Sequence, residues 1–534
     1  MAVRLCASRS CWTTSAGVVS CPVFTDRSVP IEGRRTAADR GGTGGEGVPS
    51  AIMTTPWTED ACSLVDAFRA NELSPLEALE SCIDAIDASP LNACSYTDFE
   101  RARADAAVAD VSLPFGGVPF GVKELERVKG WPFTDASMIF KDRISDHDHT
   151  SAARLRATGA VLAVQTTASE FGGINCTSTE LHGTTRNPWN QERTPGGSSG
   201  GTAAAVSGGL LPIATGSDGG GSIRIPAGFS GLFGLKATYG RIPKGPRAGI
   251  APLTTVLGCL TRSVRDTARY FDACNGADPR DPLSLPRVGG WEAALGTHDL
   301  AGMTVAIVPD LGTARVRSEV ADLVMAAAER LAEAAGLRVV GVVPNLPPLR
   351  GQWAMAGQVG FVADLGSAYP DRIGELSNEM RLGLEGAMSR YSLEKAASIE
   401  SYRRQLNEAM ADLFAGADFV MCASNPDVAF AAEGPPPSTI PGADLIHELG
   451  FSRAVMNTAA LTAPSNLNGS PAVSIPAGLV DGLPVGLQVL AGHHREQLLL
   501  DLALVAERDM PWPKVAPGSP HRVAPSAPER LAPG

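Results

Sequence analysis

Between Thr194 and Pro226 the chain carries two serine–glycine clusters separated by an apolar run. The first reads Thr194-Pro-Gly-Gly-Ser198-Ser199-Gly-Gly-Thr202, and the second Gly216-Ser217-Asp218-Gly219-Gly220-Gly221-Ser222-Ile-Arg224. Glycine crowding of this kind serves a tight loop, a phosphate cradle, or a backbone brought close to a reacting atom. The segment Leu210-Leu-Pro-Ile-Ala-Thr215 before the second cluster reads as a buried strand. A buried strand that breaks into Asp-Gly-Gly-Gly-Ser aims several backbone N–H groups at the Ser222 hydroxyl. That is how an oxyanion hole is built around a serine nucleophile. Phosphate binding is the weaker reading, because no G-x-x-x-x-G-K-[ST] pattern is present.

Composition narrows the rest. With 534 residues the chain exceeds the usual span of one compact core. A net charge of −12 argues against a nucleic-acid or anionic-membrane surface. No apolar stretch is long enough for a membrane helix. Ten cysteines are scattered without C-x-x-C pairs or Cys/His clusters, which suits a reducing, cytoplasmic compartment better than a disulfide framework or a zinc site. Residues 1–56 are rich in Gly, Arg, Ser and Thr and lack apolar periodicity. They make a poor secretory signal and read as a disordered or mis-assigned extension, with Met53 as the natural first residue. The proline-rich tail from 511 to 534 is expected to be mobile.

Ordered structure is expected from about Thr58. Ser74-Pro-Leu-Glu77 is a capping box opening a helix to about Ile86, and a second helix is expected over Phe99–Val111. Val118–Val122 is a short strand ending at Lys123. Ser151–Thr158 reads as helix and Ala160–Val164 as a buried strand. Strand Met303–Val308, a helical period from Val320 to Leu331, and strand Leu337–Val343 form a βαβ unit, so the sheet is at least partly parallel. Residues 344–450 read as a helical insertion whose aromatics (Trp353, Phe361, Tyr369, Tyr391) make either a substrate lid or ordinary core. Strands return at Ala472–Pro476 and Pro484–Leu490, and a helix Glu496–Glu507 closes the fold.

The run from Thr194 to Pro226 resembles the defining stretch of the amidase signature family nearly residue for residue. Gly117-Val-Pro-Phe-Gly-Val-Lys123 resembles that family's lysine motif. Asn466–Gly478 and Gly482–Gln488 resemble its closing strands, so the likeness extends over roughly residues 58 to 510. The resemblance implies an α/β fold in layers, a mixed, largely parallel central sheet covered by helices on both faces, with the amidase domain at 57–510. It implies a Ser-Ser-Lys triad carried by Ser222 as acyl-enzyme nucleophile, Ser198 as proton relay after a cis peptide bond from Gly197, and Lys123 as base. The two serines stand 24 apart, as that family requires. Histidine is not needed: a hydroxyl needs a neighbour to take its proton, and a lysine buried away from water can fall to a pKa of ~7–8 and do so. Backbone N–H groups of Gly219, Gly220, Gly221 and Ser222 would form the oxyanion hole. Ser217, Asp218 and Arg224 would support the loop, with Asp218 and Arg224 either bracing it or forming a surface ion pair. The chain departs from the family at Ser217 and Gly219, where threonine or a larger residue is common, and at Glu124, where aspartate is frequent.

The implied reaction is hydrolysis of a small-molecule carboxylic amide to the acid and ammonia or amine, without metal or cofactor and without nucleic acid or membrane; a homodimer is compatible with it. The alternative within the same family is an amidotransferase A subunit that releases ammonia from glutamine inside a tRNA-amidating complex. A competing pattern is Gly196-Gly-Ser198-Ser-Gly200, which satisfies the G-x-S-x-G of α/β-hydrolases, with Asp481 and His493 or His494 in permitted order. That elbow needs a buried strand before Ser198, and Asn187–Pro195 is too rich in turn residues to be one.

Overall fold

A computed structural model describes residues 59–249, 252–349, 351–517 and 519. The expectations for residues 1–56 and for the end of the tail lie outside the described residues. Eleven strands in chain order make the main sheet: β1 Cys94–Thr97, β2 Pro119–Lys123, β3 Val161–Thr166, β4 Ile213–Asp218, β5 Phe233–Lys236, β6 Val256–Thr261, β7 Thr304–Ile307, β8 Arg338–Val339, β9 Phe419–Ala423, β10 Ala472–Val480 and β11 Leu483–Ala491. Their spatial order is β1-β3-β2-β4-β6-β5-β10-β11-β9-β7-β8. The sheet is mixed, as expected: parallel ladders join β3, β2 and β4 on one flank and β9, β7 and β8 on the other, with antiparallel ladders between them.

Strands β2, β3, β4, β6, β9 and β11 are buried at every residue. Alternate side chains of a strand face opposite ways, so helices must cover both faces. Helices Gly200–Ser207 and Arg224–Ser230 pack on one another and on β4, β10 and β11, while Ser318–Ala334 and Glu496–Asp509 pack together and on β10 and β11. The capping box forms in full: the Ser74 N–H donates to Glu77 Oε2 at 2.8 Å and the Glu77 N–H to Ser74 Oγ at 3.2 Å.

Three expectations are corrected. The stretch 344–450 is not one insertion: helices Gln352–Leu365, Asn378–Met388 and Leu393–Gly416 are followed by β9, a core strand. Its five residues, Phe-Val-Met-Cys-Ala, are too short to show a period. The strand expected at Leu337–Val343 shrinks to Arg338 and Val339, both exposed at the sheet's edge. The start of the tail is held in place: Trp512 is buried and donates its ring N–H to the Arg262 carbonyl at 2.9 Å.

Candidate active site

The parallel register of β2 on β4 matches Phe120 to Ile213 and Gly121 to Ala214. This sets Lys123, the last residue of β2, beside the end of β4. Carboxyl ends of parallel strands are where such sheets hold their ligands. Here β4 runs further than the apolar run suggested, carrying Ser217 and Asp218 on the strand itself before breaking at Gly219.

Lys123 is fully buried. Its Nζ lies 2.8 Å from Ser198 Oγ, 2.9 Å from Ser199 Oγ and 2.9 Å from Ser217 Oγ. Burial pushes the amine down to about 7, against the opposing pull of Glu126 and Asp218. Three neutral hydroxyls do not make up for the water that burial removes, so the charged form of the amine is disfavoured. The two serines of the first cluster therefore meet the lysine together. Sequence reasoning gave Ser199 no role; its one signal was adjacency to Ser198.

The first cluster is held by contact as much as by sequence. The Gly197–Ser198 bond is cis. A Cβ at Gly197 would stand 2.6 Å from the Cys176 backbone nitrogen, so only glycine fits there. A Cβ at Gly172 would lie 3.3 Å from Ser198 Oγ, which places the turn after Glu170 against Ser198. Residues 185–197, which run directly into Ser198, form no strand, and Asp481 sits in the β10–β11 hairpin paired with Arg317 at 2.7 Å, so the elbow reading finds no support.

Ser222 lies between β4 and the helix Arg224–Ser230 and is 7% exposed. Gly221 has a φ of 128°, a conformation open chiefly to glycine, and a Cβ there would stand 2.4 Å from Thr462 Oγ1. The Gly221 N–H, expected among the oxyanion donors, is already given to Asp218 Oδ1 at 2.7 Å. A carboxylate six residues from its arginine reaches back over its own loop, and sequence spacing did not reveal this.

Asp218 and Arg224 are no surface pair: both are fully buried. The guanidinium donates to both Asp218 oxygens, at 2.9 and 3.0 Å, and to Ser465, Asn466, Gln488 and the Thr462 carbonyl. Burial alone would raise the Asp218 carboxyl, but Arg224 and the Asn466 amide outweigh it and hold it well below the usual carboxylate range. The loop is thus tied to the segments before β10 and to β11. Arg224→Met should cost about 3–5 kcal/mol of stability by stranding a buried carboxylate, read from the denaturant midpoint. A loss below about 1 kcal/mol would instead be that of an exposed pair.

Two further groups border the site. Glu124 Oε1 accepts from the Thr134 hydroxyl and lies 2.7 Å from His182 Nε2, an anchor for the 178–184 hairpin. Phe171 stacks edge-to-face on Phe361 with centroids 4.6 Å apart, in an apolar cluster with Met380 and Leu384. The aromatic at 361 is therefore core packing, joining the helix Gln352–Leu365 to the turn beside Ser198.

Relatives of known kind share this architecture. The Amidase family model matches residues 77–500. An acylamidase of Rhodococcus erythropolis is 30% identical over 464 residues, covering 85% of this chain and 95% of the relative. The A subunit of the glutamyl-tRNA(Gln) amidotransferase from Akkermansia muciniphila is 33% identical over 458 residues, covering 82% and 96%. The crystal structure of a bacterial aryl acylamidase of the amidase signature enzymes superimposes with a TM-score of 0.79 at 27% identity, over 86% of this chain and 97% of that one. No helix among the described residues is long and apolar enough to cross a membrane. With residues 77–500 matched by the family model and its sheet shared with a solved member, this chain belongs to the amidase signature family.

Proposed function

We propose that the protein is a serine amidase that hydrolyses a small carboxylic amide through a seryl ester, with residues 57–510 as its catalytic unit. The observation that carries this reading is the buried Lys123 amine, whose hydrogen-bond partners are three serine hydroxyls. A neutral amine has two N–H donors and one lone pair. Giving its hydrogens to Ser199 and Ser217 leaves the lone pair for the Ser198 hydroxyl.

The Ser222 oxygen attacks the amide carbon while its proton passes to Ser198 Oγ and the Ser198 proton to Lys123 Nζ. The carbonyl becomes an oxyanion, received by the N–H groups of Gly219, Gly220 and Ser222. Return of the proton through Ser198 to the leaving nitrogen breaks the C–N bond and frees ammonia or an amine. Water then repeats the sequence on the ester and releases the acid. Every step uses side chains and backbone N–H groups of this chain together with water, and no cofactor or metal is called for.

Two measurements test this. A fluorophosphonate should add its mass to a peptide containing Ser222; a label on Ser198 would move the nucleophile to the first cluster. The purified protein alone should release ammonia or amine from some member of a panel of aliphatic, aryl and amino-acid amides. Activity confined to glutamine and requiring partner subunits would make it an amidotransferase A subunit, the reading that the 33% identity to the Akkermansia protein keeps in view.

A further inference from the structure

Lys123 is not the only ionisable side chain sealed at the end of β2. Three residues on, Glu126 is 1% exposed, and its N–H donates to the Lys123 carbonyl at 2.8 Å. Its Oε2 accepts from the Ser151 hydroxyl at 2.8 Å. Thr215, whose Oγ1 accepts the Lys123 backbone N–H at 2.9 Å, also draws the carboxyl down. The other oxygen, Oε1, has no hydrogen-bond partner among the described residues. A buried carboxylate normally fills its acceptor sites, so a half-satisfied one calls for an explanation.

Its neighbours supply only one opposite charge. Glu126 acts electrostatically on Cys259 of β6 and on Tyr270 and Cys274 of the helix Val264–Cys274, and burial pushes all three up and keeps them neutral. Asp218, the other carboxylate acting on Lys123, is bound to Arg224. Among the described residues that leaves Lys123 as the opposite charge acting on Glu126. Burial raises the Glu126 carboxyl to about 7 while Thr215, Ser151 and Lys123 draw it back, and Glu126 is the foremost charge opposing the fall of Lys123.

We propose that Glu126 is a positioning residue of this site: set one turn past Lys123 and held by Ser151, its carboxylate sets the pH at which the Lys123 amine becomes free to take the Ser198 proton. This rests on Lys123 being the base. Ionised Glu126 stabilises the ammonium and delays its loss; protonated Glu126 does not. The two groups then titrate as a pair, with midpoints that belong to both.

The test needs no known substrate. The rate of inactivation by a fluorophosphonate reports how well the serine is activated, and it is measured from about pH 5 to 10 for wild type, Glu126→Gln, Ser151→Ala and Lys123→Ala. Glutamine keeps the shape and the bond from Ser151 but removes the charge. The wild-type rate should rise through neutral pH. In Glu126→Gln the same rise should come about one pH unit lower, with its alkaline plateau kept. Ser151→Ala weakens the ionised carboxylate from outside and should shift the rise the same way by less, which keeps the proposal testable if the glutamine variant fails to fold. An unmoved midpoint, a midpoint moved upward, or a lost plateau at an unmoved midpoint would overturn it. Lys123→Ala separates the two ideas: if that variant reacts like wild type, the base assignment itself fails, whereas unshifted Glu126 and Ser151 variants beside an inert Lys123→Ala remove only the role of Glu126.

Discussion

Ser222→Ala is expected to remove turnover by at least ~10³-fold while leaving the fold intact. The side chain is small and sits on a loop held by other groups: Asp218 accepts the Gly221 N–H at 2.7 Å, and Arg224 ties Asp218 to Asn466 and Gln488. Losing one hydroxyl leaves that network whole, so the unfolding midpoint should stay within experimental scatter of wild type. What disappears is the atom proposed to form the ester. The oxyanion donors and the lysine remain, and any residual hydrolysis measures what they do for a water nucleophile. Ser198→Ala should fall nearly as far, and the double variant should fall little further, because members of one proton-transfer unit are not additive. Retention of activity within about tenfold in Ser222→Ala would remove this serine from the reaction. The loss must be read as kcat on an amide found in the panel, with melting checked on the same sample.

Much of this arrangement is legible in the sequence because the site is built from contiguous runs. Thr194–Pro226 spans both serine clusters and β4, and β2 ends on Lys123, so three short segments hold all three proposed catalytic residues. The capping box at Ser74 is legible for the same reason: its bonds join residues three apart. What the sequence hides is contact between segments distant in the chain. Nothing in the spacing tells that Asp218 takes the Gly221 N–H, or that Arg224 is buried against residues more than 230 positions away at Thr462, Ser465 and Gln488. Thr215 and Ser151 look like ordinary strand and helix residues until the fold sets them around Glu126. Strand β9 escapes for another reason: buried on both faces, it shows neither the alternation of a half-buried strand nor the period of a helix.

Lys123→Ala is expected to remove most activity at neutral pH and to return part of it as the medium becomes alkaline. The direction follows from which form works. Only the neutral amine can accept the Ser198 proton, and burial brings its pKa from 10.5 down to about 7. Wild-type kcat/KM should therefore climb with pH through about 7 and stay high into mild alkali. A solvated lysine would still be overwhelmingly charged there and would give a rise about three units later. Alanine leaves no base in the cavity, so the proton must go to hydroxide, whose concentration grows about tenfold per pH unit; the variant's rate should climb without reaching a plateau at neutral pH. It should also leave Ser199 and Ser217 without the amine they now meet at 2.9 Å, so part of the loss reflects a loosened cluster. Two readouts separate that from lost base chemistry: added small primary amines should restore some rate in Lys123→Ala, and the wild-type pH rise should be missing from it. A variant as active as wild type, or a wild-type profile that moves when His182 or His494 is replaced, would sink the lysine as base and leave a histidine in its place.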